Sequence, residues 1–279
     1  MGWHGHLDLR YRFDAGRTIG HDRHDGPLRV LASLHPEGPV VCHHVLVHPP
    51  GGIVGGDVLE IDVEVQAGAH ALITTPGATR FYRSAGALAE QTLVARAATG
   101  ARLEWLPLET IAYSGTRAAN GMRFELAPGA EMIGWDILAL GLPAAGQPFA
   151  QGRFEQQIEL PGAWLERGLL DTEDPLTPRL LDSPLGWDGR TVLATLWFAA
   201  GSPIDAARRE QLLETARAGL EGGGLAEHAG ATSPDPRVIV LRVLAERTEP
   251  ALALLGAVWA GWRDVAWQLP ACPPRVWRT

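Results

Sequence analysis

The sequence predicts a mainly β protein: an extended, mostly antiparallel β scaffold with two helices in the C-terminal third. Three observations point there. Residues 58–65, VLEIDVEV, alternate cleanly, with Leu59, Ile61, Val63 and Val65 on one face and Glu60, Asp62 and Glu64 on the other. Short strand-like runs recur between turn signals from about residue 40 to 170. After residue 200 the apolar period lengthens from two to between three and four.

Taken in order, the chain opens with Met1-Gly2-Trp3-His4-Gly5-His6, which lacks the basic and apolar regions of a signal peptide and reads as a mobile end. Gly68 separates 58–65 from a return strand over 71–75. Further strands are expected at 92–98, 102–106, 110–113, 123–126, 131–140 and 153–160. Thr99-Gly100, Asn120-Gly121, Pro128-Gly129 and Pro161-Gly162 punctuate them as turns. Their spacing matches neither a propeller nor a named solenoid repeat. A helix is expected over 203–220, with Ser202 as cap, Pro203 at its first position and Gly222-Gly223-Gly224 as its stop. Its stripe is Ala207, Leu212, Leu213, Ala216 and Leu220. A strand over 237–245 precedes a second helix over 249–268, capped by Thr248, with Leu252, Leu255, Trp259, Trp262 and Ala266 on one face. The tail from Pro270 to Thr279 is proline-rich. No linker divides the chain, so residues 1–279 read as one domain, β-rich over 1–200 and helix-containing over 201–279.

Composition excludes whole classes of chemistry. The chain has 279 residues, 46% hydrophobic and 20% charged, the balance of a globular protein. A net charge of −8 argues against nucleic acid as partner. All 24 basic residues are arginine, which removes P-loop, Schiff-base and Ser-Lys chemistry. Two cysteines, Cys42 and Cys272, form no CxxC, and such sparse usage fits a reducing compartment. With no run long enough to span a bilayer, the expected location is cytoplasmic.

Candidate chemistry is sparse. His4 and His6 form an HxH, but a metal-dependent hydrolase would need more histidines than the remainder of the chain supplies. In Cys42-His43-His44, Cys42 and His44 share a strand face, as metal ligands or as core residues. Glu60, Asp62 and Glu64 form an acidic face, with Asp57 just before it; alternate strand carboxylates can line a cation path, and a solvated outer face gives the same pattern. Glu104, Glu109 and Asp136 are acids in apolar runs, where a dry carboxylate demands a partner. Arginine ion pairs answer that demand as well as a metal does. Gly51-Gly52 and Gly55-Gly56 are turn glycines rather than a phosphate cradle, and no G-x-S-x-G exists.

The run from His48 to Asp57, HPPGGIVGGD, continues in Gly68-Ala69-His70-Ala71 and in the run TTPGATRFYRS from Thr74 to Ser84. Leu103 to Thr110, Ile133-Gly134-Trp135-Asp136, Gly230-Ala231-Thr232 and Pro273 to Trp277 follow the same pattern. Together they resemble the urease accessory protein family of the UreD/UreH type over nearly the whole chain. That resemblance implies a mostly β scaffold with two helices and no enzymatic activity. It implies a chaperone for urease maturation, acting with UreF and the GTPase UreG on apo-urease. Nickel would pass transiently, through an internal water-filled route, to the dinuclear centre of urease, and no cofactor would be held tightly. Asp57, Glu60, Asp62, Glu104, Glu109 and Asp136 are the candidates for lining that route. The chain departs from the family pattern at Leu108, usually Gln, at Tyr113-Ser114, commonly Phe-Asp, and at Ser233-Pro234, usually Arg-Leu. If that aspartate serves the ion, Ser114 cannot supply its charge. The rival reading is a structural adaptor that positions UreF and UreG on urease without handling nickel.

Overall fold

The computed structural model describes residues 2–221 and 223–278; Met1, Gly222 of the predicted helix stop and Thr279 of the tail lie outside the described residues. Two sheets and a pair of helices stack in three layers. The first sheet has seven strands: β1 (His4–Asp14), β2 (Arg17–Asp25), β5 (Val58–Val65), β8 (Ala89–Ala97), β11 (Thr116–Leu126), β13 (Gly152–Leu160) and β14 (Trp164–Asp171), ordered β14-β13-β11-β8-β5-β1-β2. The second has ten: β3 (Arg29–Val30), β4 (Val41–Val47), β6 (His70–Thr74), β9 (Arg102–Leu106), β12 (Glu131–Leu140), β15 (Val192–Ala200), β16 (Ala229–Asp235) and β17 (Val238–Ala245), ordered β16-β17-β15-β12-β9-β6-β4-β3, with β7 (Thr79–Phe81) and β10 (Thr110–Ala112) attached through β12.

The expectation of a mostly antiparallel scaffold is corrected here. Nine of the fifteen strand pairings among the described residues are parallel. From β4 to β13 the chain alternates between the sheets in a solenoid-like coil, so most turns carry it across to the other layer rather than back beside the strand just left. Three equivalent corners show the repeat. Gly68, Gly100 and Gly129 each have φ between 70° and 78°, and each is followed by a fully buried alanine, Ala69, Ala101 or Ala130. Those alanine amides donate to Gln66, Ala98 and Ala127. The corners stack through Arg102 N to Ala69 O and Glu131 N to Ala101 O. Gly-Ala recurs at 68, 100 and 129, intervals of 32 and 29 residues. That unequal spacing masks the repeat.

The layers explain the sequence patterns. The seven-stranded sheet has one wet face, so β5 alternates buried and part-exposed residues. The ten-stranded sheet is covered on both faces. One face packs on the first sheet through Ala71, Leu103, Met132 and Trp197. The other packs on the helices through Leu72, Ile133, Trp135, Leu196, Phe198 and Leu241. Hence β12 and β15 read as continuous apolar runs.

Three helices are described where two were expected. The addition is a short one, α1 (Leu176–Asp182). In α2 (Ala206–Ala218) the cap is Asp205, which accepts from Ala207 N and Arg208 N, rather than Ser202. Leu212, Leu213 and Ala216 are buried, whereas Ala207 is exposed. Thr248 is the first residue of α3 (Thr248–Trp267), not its cap. Ala251, Leu255, Val258, Trp259, Trp262 and Arg263 form its buried stripe. The N-terminus is also corrected: His4 and His6 lie in β1, paired in parallel with β5. Asn120-Gly121 is the middle of β11 rather than a turn.

Gly134 and Gly121 test this packing. A Cβ on Gly134 would meet Trp197 Cζ2 at 2.4 Å, while one on Gly121 meets nothing within 4 Å. Gly134→Ala should cost at least about 2 kcal/mol and Gly121→Ala should gain about 0.5 kcal/mol, both read by urea unfolding.

Candidate functional site

The six candidate acids lie in different layers. Glu60 and Asp62 are on the outer face of the seven-stranded sheet, where β1 and β8 place basic side chains beside them. His4 Nε2 lies 2.9 Å from Glu60 and His6 Nε2 3.0 Å from Asp62; Arg96 lies 3.6 Å from Asp62. Asp57 is buried and works as a loop cap, accepting from Trp3 N at 2.7 Å and Val54 N at 2.9 Å. That bond fixes the glycine loop, in which Gly51 and Gly56 have φ of 79° and 95°. Glu109 is half-buried just before β10. Glu104 and Asp136 are both buried, on opposite faces of the ten-stranded sheet. Among the described residues no three His, Cys, Asp or Glu side chains converge to hold a metal ion.

Glu104 faces the helices. It accepts from His70 Nε2 at 2.8 Å and Trp259 Nε1 at 2.6 Å, with Arg263 Nε at 3.3 Å. Arg263 is fully buried and also donates to Glu37 at 2.7 Å and to the Pro270 carbonyl at 2.6 Å. His43 donates to the other Glu37 oxygen at 2.6 Å. Burial alone would raise the Glu37 carboxyl, but the hydrogen bonds from His43 and Arg263 outweigh it and hold the group below its ordinary range. The six side chains thus fasten α3 to the sheet as a hydrogen-bonded ionic network.

Cys42 and His44 do share a side of β4: a Cβ on Gly20 would touch both. His44 is hydrogen-bonded to Tyr11 at 2.7 Å and to Ser33 at 2.8 Å, and burial lowers it to about 4. Both cysteines are free thiols. Ser114 accepts from Ala150 N and Gln151 N at 3.2 Å each, anchoring a loop.

Asp136 faces the space between the sheets. It lines a cavity of about 580 Å³ bounded by β13 and β14 on one side and β12, β15 and β17 on the other. Asp136, Thr195 and Arg242 are register neighbours across three strands. Glu166 reaches over from β14, accepts from Thr195 Oγ1 at 3.1 Å and binds Arg242 Nε at 2.8 Å. Gln156 donates to Asp136 at 2.5 Å. Behind it, Asn120 donates to Gln156 at 3.5 Å and Gln91 to Asn120 at 3.2 Å. These three amides sit in register on β8, β11 and β13. Gln91 in turn lines a second cavity of about 230 Å³ with His48, Thr75 and Arg80. A directed hydrogen-bond chain therefore crosses an otherwise largely apolar core and joins two cavities.

Burial pushes Asp136 up to about 7, against the Gln156 hydrogen bond and with the Glu166 charge adding to the rise. Neither Glu166 nor the amide row is among the sequence candidates. The strand over 164–171 is not predicted, and Asn120 reads as a turn. The available signal is the inward phase of Phe154, Gln156 and Ile158, two apolar residues flanking an amide.

A family model described as UreD urease accessory protein matches residues 4–278. The chain is 60% identical to the urease accessory protein UreD of Leptothrix cholodnii, with 100% of both chains covered. It is 59% identical to that of Methylibium petroleiphilum and 58% identical to that of Variovorax paradoxus, again covering 100% of each.

Two outcomes follow. Arg263→Met strands two buried carboxylates and should cost about 3–5 kcal/mol by urea unfolding. Asp136 titrates near 3.8 when unfolded and near 7 when folded. The folded state therefore holds the extra proton between those values, and this group's contribution to stability declines as pH rises through the window. His44 acts oppositely between about 4 and 6.5. In calorimetry, the unfolding midpoint of Asp136→Asn minus that of wild type should therefore climb from pH 4 to pH 7.

Proposed function

Because this chain belongs to the UreD urease accessory protein family, we propose that it is a urease-maturation chaperone that passes nickel through its interior to apo-urease. It works in the cytoplasm in a complex with UreF and the GTPase UreG, breaks no bonds itself and holds nickel only in transit. One observation carries the reading: the row Gln91, Asn120, Gln156, Asp136 that links two cavities through the inter-sheet core. Polar groups in such a core are costly unless partnered. A line of them between two spaces gives water and a hydrated ion successive partners.

Transit also needs weak binding at several places, or the ion does not leave. Oxygen donors in ones and twos suit that better than thiolates. The acid-lined part of the route lies at Asp136 with Glu166. Glu104 sits across the sheet in the helix-fastening network, and Glu60 and Asp62 face outward, so this part of the route does not include them.

The adaptor reading has its own support. Leu165 and Leu169 on β14, Leu176 and Leu180 on α1, and Leu185 just beyond are all exposed, as on surfaces that meet a partner. The two readings separate in one experiment. Asp136→Asn with Glu166→Gln should lower urease activation at limiting nickel about tenfold or more, while UreF still co-purifies. Unchanged activation would remove this cavity from the nickel route and leave the adaptor reading.

A further inference from the structure

Arg242 puts a cation where a metal cargo would meet Glu166. Its Nε lies 2.8 Å from Glu166 Oε2, and a terminal nitrogen binds the same oxygen. The pair is asymmetric: the carboxylate side chain is 15% exposed and the guanidinium 54%. The anion is thus fixed inside the cavity, held also by Thr195, while the cation reaches in from solvent on a flexible stem. The other charged groups lining the cavity are committed elsewhere. Arg167 turns to Glu155 on β13, and His228 is tied to Arg190 and Asp188.

We propose that Arg242 is a displaceable latch on this cavity: at rest it occupies Glu166, and an arriving divalent cation takes Glu166 together with Asp136 and releases the guanidinium to solvent. The inference rests on reading the cavity as part of a nickel path. At rest, the Glu166 carboxylate is matched by Arg242 and Asp136 accepts from Gln156. When loaded, the dication takes the Glu166 and Asp136 carboxyl oxygens, and the guanidinium is hydrated at the mouth. The groups facing Asp136 are Gln156 from β13, Glu166 from β14, and Thr195 and Arg242 from β15 and β17; His228 lies at the rim. Such a latch keeps the internal carboxylate neutralised and the mouth covered until a cation with more charge competes for it.

The test uses the full chain co-purified with its accessory partners, titrated with Ni²⁺ alone by equilibrium dialysis. Arg242→Gln should bind Ni²⁺ about tenfold or more tightly, because a charged hydrogen-bond competitor is gone. Adding Glu166→Gln should erase the gain. An unchanged affinity in Arg242→Gln, or a gain that survives Glu166→Gln, overturns the latch. If Arg242→Gln lowers the unfolding midpoint, Arg242→Lys carries the same test with a smaller gain, since it keeps the charge and loses the fork. Failure of the nickel path itself is distinct. In that case Asp136→Asn with Glu166→Gln leaves urease activation intact, whereas failure of the latch alone leaves that double variant inactive and Arg242→Gln equal to wild type.

Discussion

A sheet with no wet face must find partners for the buried carboxyl groups it carries, and the ten-stranded sheet does so in two ways. On its helix side the solution is Arg263, fully buried between Glu104 and Glu37 and stacked over Trp259 at 5.2 Å. The network reaches from the loop before β4 to the start of the C-terminal tail. It makes α3 inseparable from the coil it covers. Tryptophans repeat the pattern: Trp262 donates to the Leu212 carbonyl, Trp267 to Glu131 and Trp277 to Thr74, each spending its single polar atom on a fixed partner.

On the inter-sheet side the solution is looser. The amide row donates in one direction toward Asp136, and each bond polarises the next. The row also pins the register of β8, β11 and β13, as amide ladders do in stacked strands. A structural role and the proposed conductive one are therefore compatible in the same side chains. Its surroundings set this region apart: the row begins and ends at cavities, and at one of them Glu166 holds Arg242 while Asp136 accepts from Gln156. The helix-side network lines neither cavity.

The strands over 58–65, 102–106 and 131–140 are legible because their patterns are local: alternation where one face is wet, unbroken apolar runs where neither is. The direction of pairing is not legible that way. A glycine turn looks the same whether the chain returns beside the strand it left or crosses to a second layer, and only the recurrence of Gly-Ala at 68, 100 and 129 hints at the crossing. The strand over 4–14 escapes notice because its histidines read as a polar end, although they pair with Glu60 and Asp62 on a wet sheet face. Of the site, Asp136 is legible because an acid between Trp135 and Ile137 is an anomaly in any strand. Glu166 sits among Leu165 and Arg167, where an acid is unremarkable.

By itself, the sequence determined the strand-rich character, the two C-terminal helices, the family and the presence of acids in apolar company. These depend on composition, short-range period and motif, all of which are properties of neighbouring residues. Tertiary structure alone decided which acids meet. Glu104 and Asp136 stand in similar apolar runs, yet the phase of each strand turns one toward the helices and the other toward the cavity. Their partners, Arg263 and Gln156, come from a helix and a strand distant along the chain. A strand's pattern can report that a side chain is buried, but only the layer packed against that face determines what the side chain touches.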